Sequence, residues 1–220
     1  DFSQVCCVGV DEMSVRKGHE YISVFADLVR KRVLFATEGK GHQVWLDFVT
    51  ALKHHNGHRH AITQVSMDMS PAYHKGVKAT CRNAQVVFDK FHVVAHANQA
   101  VDEVRRAEVR LGGAGVWEAL RRSQWLWRKN PENLTAPEAA RLAQIDQKHL
   151  RTAKAYQMRL VLQDIYRSAT ATVARQRFRV WCRWVRWVAR LQPKNLLRSM
   201  VKVADSVEKH LTGIVAHWRW

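Results

Sequence analysis

The sequence predicts an α+β fold, with a sheet-bearing segment over residues 1–92 and a wholly helical one over 93–220. Two observations carry this division. Short apolar runs with a strand rhythm, joined by brief turns, fill the first segment and stop at His92. Beyond that point apolar residues recur at steps of three and four, which is the helical period.

The elements follow in order. "VCCVGV" (5–10) is a continuous apolar run ending at Asp11, the pattern of a strand covered on both faces. "YISVFADL" (21–28) and "RVLFAT" (32–37), parted by the basic turn "VRKR", read as an antiparallel meander. Val44, Trp45, Phe48, Val49 and Leu52 share one side of a helix predicted over 42–55. "AITQVSMD" (61–68) is a fourth strand ending on Asp68, "PAYHKGVKA" a short helix, and "AQVVFD" (84–89) a fifth strand.

In the second segment, "GGAG" (112–115), "NPENLTAPE" (130–138) and Gln192-Pro193 interrupt the helices. Thr135 is predicted to cap a helix whose first turn holds Pro137 and Glu138. At about 100° per residue, Arg175, Arg179, Arg183, Arg186 and Arg190 fall within roughly an 80° arc of one helix. Phe178, Val180, Trp181, Trp184, Val185, Trp187, Val188 and Leu191 occupy the opposite half and read as core. Leu197, Val201, Ala204, Val207, Leu211, Ile214 and Trp218 predict one further helix with an apolar stripe.

Charge bounds the partners. The 220 residues hold 36 Lys+Arg against 19 Asp+Glu, a formal net charge of +17. Such an excess suits a polyanion, most commonly nucleic acid, and five arginines without an interleaved acid read as a phosphate-contacting face. No apolar run approaches the roughly 20 residues that span a bilayer, so no membrane is expected, and no signal peptide is read. Cys6, Cys7, Cys81 and Cys182 form no C-x-x-C pair, which argues against a zinc ribbon or a disulfide framework. A reducing, cytoplasmic setting is expected.

Asp11 and Asp68 each follow a predicted strand. If those strands are neighbours, both side chains emerge at one edge of the sheet. Two converging carboxylates repel unless a hard cation lies between them, and oxygen ligands suit Mg²⁺ or Mn²⁺. Asp and Ser are also good turn and cap residues, a second reading of Asp68-Met-Ser-Pro. The order strand-strand-strand-helix-strand-helix-strand, with acids on the first and fourth strands, is that of the ribonuclease H-like nucleotidyl transferases.

"GVDEMSVRKGHEYISVFAD" (9–27), "VSMDMSPAYHKGV" (65–77), "VVFDKFHVVAHANQAVDEVRR" (86–106) and "LWRKNPENLT" (126–135) together resemble the DDE transposases of bacterial insertion sequences, most closely the ISL-three group. The resemblance covers essentially the whole chain. It implies a ribonuclease H-like mixed sheet with a large all-helical insertion after the fifth strand. It implies Asp11 and Asp68 as catalytic, metal-binding acids of a site for two Mg²⁺ or Mn²⁺ ions, whose chemistry cleaves transposon ends and joins them to target DNA. A homo-oligomer is implied for the active complex.

Neighbouring strand residues point to opposite faces, so Glu12 is expected beside the site and structural. His19 and Tyr21 read as the polar edge of a hairpin. In "DKFH", Asp89 is expected to cap a helix, and His92 to reach the scissile phosphate or orient a site carboxylate. The family's third acid, in a Glu-Gly-x-Asn motif, has no match; Glu118, Glu132, Glu138 and Glu208 stand in nothing like it. The expectation is a central fragment of a longer protein, inactive alone for want of that acid. A ribonuclease H-like nuclease or resolvase, or a non-enzymatic DNA-binding protein on a decayed transposase scaffold, are the alternatives.

Overall fold

The computed structural model describes residues 1–14, 21–145, 149–192 and 195–219. Five strands, β1 (Cys7–Ser14), β2 (Tyr21–Asp27), β3 (Arg32–Glu38), β4 (Gln64–Met67) and β5 (Gln85–Phe88), form one mixed sheet in the order β3-β2-β1-β4-β5. The meander β1-β2-β3 is antiparallel, while β4 and β5 add in parallel on the other side of β1. Parallel addition needs crossovers. They are α1 (His42–His54), preceding β4, and α2 (Pro71–Thr80), preceding β5.

Strand β1 differs from the prediction by running on to Ser14, so Asp11 lies within it. On the β2 side pairing continues to Ser14 opposite Tyr21, whereas the β4 ladder pairs only Cys7, Val8 and Gly9. The "Lys-Gly-His" portion of the motif, with His19, lies outside the described residues.

Side chains alternate across the sheet. Val8, Val10, Phe25, Val65 and Met67 are buried on the face that meets α1 and α2. There Phe25 stacks on Phe48 at 4.3 Å between ring centroids and meets the edge of Trp45 at 5.1 Å. Trp45 in turn lies against Gly76 of α2, where a Cβ would come within 2.2 Å of the indole. On the opposite face Leu28 covers Gly9 so closely that a Cβ there would stand 2.8 Å from its methyl.

The chain divides into two compact units, Asp1–His92 with Thr212–Trp220, and Val93–Leu211. The second contains α3 (Lys90–Leu111) from Val93 on, α4 (Ala114–Leu120), α5 (Ala136–Gln144), α6 (Arg151–Ile165), α7 (Ala171–Arg190) and α8 (Arg198–Lys209). Thr135 and Glu138 form the expected capping box at α5, with the Thr135 amide donating to Glu138 at 2.9 Å. The start of α6 is closed differently. Leu150 offers no side-chain cap, and the buried carboxylate of Glu108 on α3 accepts from the amides of Arg151 and Thr152 and from the Thr152 hydroxyl, each at 2.8 Å.

Two helical expectations change. The stripe predicted over 197–218 is broken at His210 into α8 and a short α9 (Leu211–Val215), followed by a 3₁₀ turn over Ala216–Arg219. The core face of α7 is narrower than predicted: Phe178, Trp181 and Val185 are buried, but Val180, Trp187 and Leu191 are exposed. Among the described residues no helix is long and apolar enough to cross a membrane, and Cys6, Cys7, Cys81 and Cys182 are free thiols.

Candidate active site

The register of the sheet organises the acids. β1 and β4 pair Cys7 with Gln64, Val8 with Val65 and Gly9 with Ser66; carried two residues on, Asp11 falls opposite Asp68. β4 and β5 pair Met67 with Phe88, so the next positions are Asp68 and Asp89. The Asp89 amide donates to the Met67 carbonyl at 3.2 Å, extending the ladder to that point. Three aspartates thus stand at matching positions where β1, β4 and β5 leave their parallel pairing. Asp11, within β1, lies on the face opposite Val10.

Local hydrogen bonds set each carboxylate. Oδ1 of Asp11 accepts from the Glu12 amide at 2.8 Å, and its side chain is 65 % exposed. Asp68 Oδ1 accepts from the Met69 amide at the entry to the Ser-Pro turn. Asp89 Oδ1 accepts from the Phe91 amide at 2.8 Å, which is the capping role expected of it at α3. In the first turn of α3, Nε2 of His92 lies 3.4 Å from Oδ1 of Asp11. The structure therefore brings His92 to the first acid.

Glu12 is on the other face, as the alternation requires. It neighbours the Tyr73 hydroxyl, which is 2.7 Å from Ser23 Oγ; Ser23 pairs with Glu12 across β1 and β2. Burial pushes the Tyr73 phenol well above its ordinary range, the Ser23 hydrogen bond opposes this, and the charges of Glu12 and Asp11 add to it. Sequence reasoning gave Tyr73 no role, although it stands in the quoted "SPAYHKG". His217, also missed, is depressed first by burial and then by the Lys90 charge, with Asp89 opposing. No periodicity or motif near "AHWRW" marks it.

Of the predicted arginine face, Arg175, Arg179 and Arg183 line a shallow groove with Thr172, Gln176 and Glu208. Arg186 is held instead by α8: its guanidinium meets Asp205 at 2.7 Å and Glu208 at 2.6 Å, and these bonds raise its pKa. Arg190 is exposed at the end of α7.

Aspartate oxygens suit a hard divalent cation. Among the described residues, however, no group of three or more His, Cys, Asp or Glu side chains is disposed to hold a metal. The donor chemistry of Asp11 and Asp68 fits such an ion.

Comparison with known proteins agrees with the motifs. The family model for transposases of the ISL-three group, described as "Transposase", matches residues 8–220. The transposase for insertion sequence element IS1001 of Bordetella parapertussis is 27 % identical over 222 residues, covering 100 % of this chain and 52 % of that protein. The transposase for insertion sequence element IS1557 of Mycobacterium tuberculosis is 26 % identical over 238 residues, covering 98 % of this chain and 51 % of that protein. No solved structure matches. The chain spans about half the length of these curated relatives, and over that half its sequence and its matched family agree: it belongs to the transposase family of the ISL-three group.

Proposed function

We propose that this chain is most of the catalytic domain of a DNA transposase with a ribonuclease H-like sheet, in which Asp11 and Asp68 are the first two metal-binding acids. The observation that carries the reading is the β1–β4 register, which, carried two residues past the Gly9–Ser66 pair, sets Asp11 opposite Asp68. Bound there, Mg²⁺ or Mn²⁺ ions, two in the complete site, would polarise an attacking water or DNA 3′-hydroxyl and stabilise the leaving oxygen. Asp11 and Asp68 would supply oxygen ligands, with their backbone hydrogen bonds limiting how far each carboxylate can turn. His92, 3.4 Å from Asp11, acts as a positioning residue that fixes the orientation of that carboxylate. Glu12 stays on the far face with Tyr73 and supports the strand.

DNA is the partner the charge favours. Arg175, Arg179 and Arg183 supply sequence-independent phosphate contacts, and Arg190 extends the same face. Arg186, neutralised by Asp205 and Glu208, contributes least. The active species is a homo-oligomer on paired transposon ends.

In-line phosphoryl transfer is sensitive to small misplacements, and two aspartates hold an ion loosely. The 220-residue chain alone is therefore expected to cleave and join DNA slowly in Mg²⁺ or Mn²⁺. The test compares it with a polypeptide of the relatives' full length containing it, on a labelled transposon-end duplex. The longer protein should show cleavage and joining that Asp68→Ala abolishes. Transfer that survives Asp68→Ala would overturn the assignment.

A further inference from the structure

Besides Trp187 on α7, the helical unit leaves Trp117 and Trp125 in water, and only these two stand against arginines among the described residues. Trp117 on α4 is 48 % exposed and Trp125, just beyond it, is 65 % exposed. Trp127, two residues on, shows what a structural tryptophan does here: it is buried and donates to Ser123 Oγ at 2.9 Å. Trp117 and Trp125 each carry an arginine instead. Arg121 Cζ is 4.9 Å from the Trp117 centroid, and Arg128 Cζ is 5.1 Å from that of Trp125. Arg121 also pairs with Glu118 at 2.7 Å. Among the described residues Arg122 and Arg128 have no carboxylate partner.

The segment is anchored rather than loose. Ser123 Oγ donates to the Leu120 carbonyl at 2.6 Å, Arg105 of α3 donates to the same carbonyl at 3.4 Å, and Arg141 of α5 donates to the Arg121 carbonyl at 2.9 Å. Aromatic faces held in place lose little freedom on binding.

We infer that Trp117 and Trp125, with Arg121, Arg122 and Arg128, form a stacking site for unpaired nucleotides of a DNA strand. Every base has a π face, so indoles hold single strands without regard to sequence, and arginines beside them meet the backbone phosphates. Duplex DNA buries its base faces and cannot use the rings. A second copy of the chain fits less well, because a two-fold interface would set these arginines against their own equivalents. The inference rests on the proposed function only in taking DNA as the ligand.

The test measures fluorescence anisotropy of a labelled oligo-dT and of a labelled mixed-sequence duplex against the whole chain. Trp117→Ala, Trp125→Ala and the corresponding Phe variants are compared, with circular dichroism confirming the fold. Each Ala variant should weaken oligo-dT binding about ten-fold, leave duplex binding within about two-fold, and be largely rescued by Phe. Oligo-dT affinity unchanged in both Ala variants, while duplex binding persists, would overturn the stacking site alone. Equal losses on both ligands would do the same. Self-association that the Ala variants abolish, with oligo-dT binding intact, would make the surface an interface between copies. If the wild-type chain binds neither ligand, the DNA reading fails with it.

Discussion

Asp11 shows how a catalytic candidate can be visible in a sequence while its surroundings are not. An apolar run ending in a carboxylate marks it, and a second such run marks Asp68. What the sequence could not display is His92 at 3.4 Å, or that Glu12 turns away toward Tyr73, because both contacts join segments far apart in the chain. If His92 orients Asp11, His92→Ala should lower kcat of the full-length transposase far more than its KM for transposon-end DNA, with partial rescue by Gln. Equal effects on both would make His92 a packing residue. On the other face, Tyr73→Phe removes the bond to Ser23, whose hydroxyl keeps its bond to the Gly39 carbonyl at 2.8 Å. The cost should be about 1 kcal/mol, read as a few degrees in Tm with site activity retained.

Elements were legible where a local rule governs them. The Thr135–Glu138 cap is such a case, and so are the five strands, whose ends moved by a few residues. The cap of α6 was illegible because its carboxylate, Glu108, comes from another helix. The α7 stripe looked wider than its buried face because periodicity reports apolar residues without saying which of them find a neighbour. Close packing gives two opposed predictions for glycine. Gly76→Ala drives a Cβ into the buried Trp45 and should destabilise by about 1–3 kcal/mol or more. Gly115→Ala on α4 meets nothing within 4 Å and should stabilise by up to about 1 kcal/mol. Thermal melts of the two variants check both. The hydrogen bond from Lys129, then that from the Thr135 amide, lowers Glu138 to about 2. Its contribution is therefore present above the ordinary carboxylate range and lost as pH falls toward about 2. Glu138→Gln should flatten that part of the stability–pH curve; an unchanged curve would mean the cap does not matter.

At the scale of the molecule, a formal charge of +17 predicts that the proposed DNA binding is salt-dependent whatever the catalytic state. Arg175, Arg179 and Arg183 replaced together by Gln should reduce the log–log salt slope for duplex binding by roughly two to three. Arg186→Gln alone should change it little, since α8 already holds that charge. The central claim is narrower: Asp11 and Asp68 share a divalent cation. Electron paramagnetic resonance of free Mn²⁺, titrated with the chain and with its Asp11→Asn and Asp68→Asn variants, tests it directly. The account predicts weak binding by the wild-type chain that either substitution removes. Wild-type-like Mn²⁺ binding by either variant would contradict it.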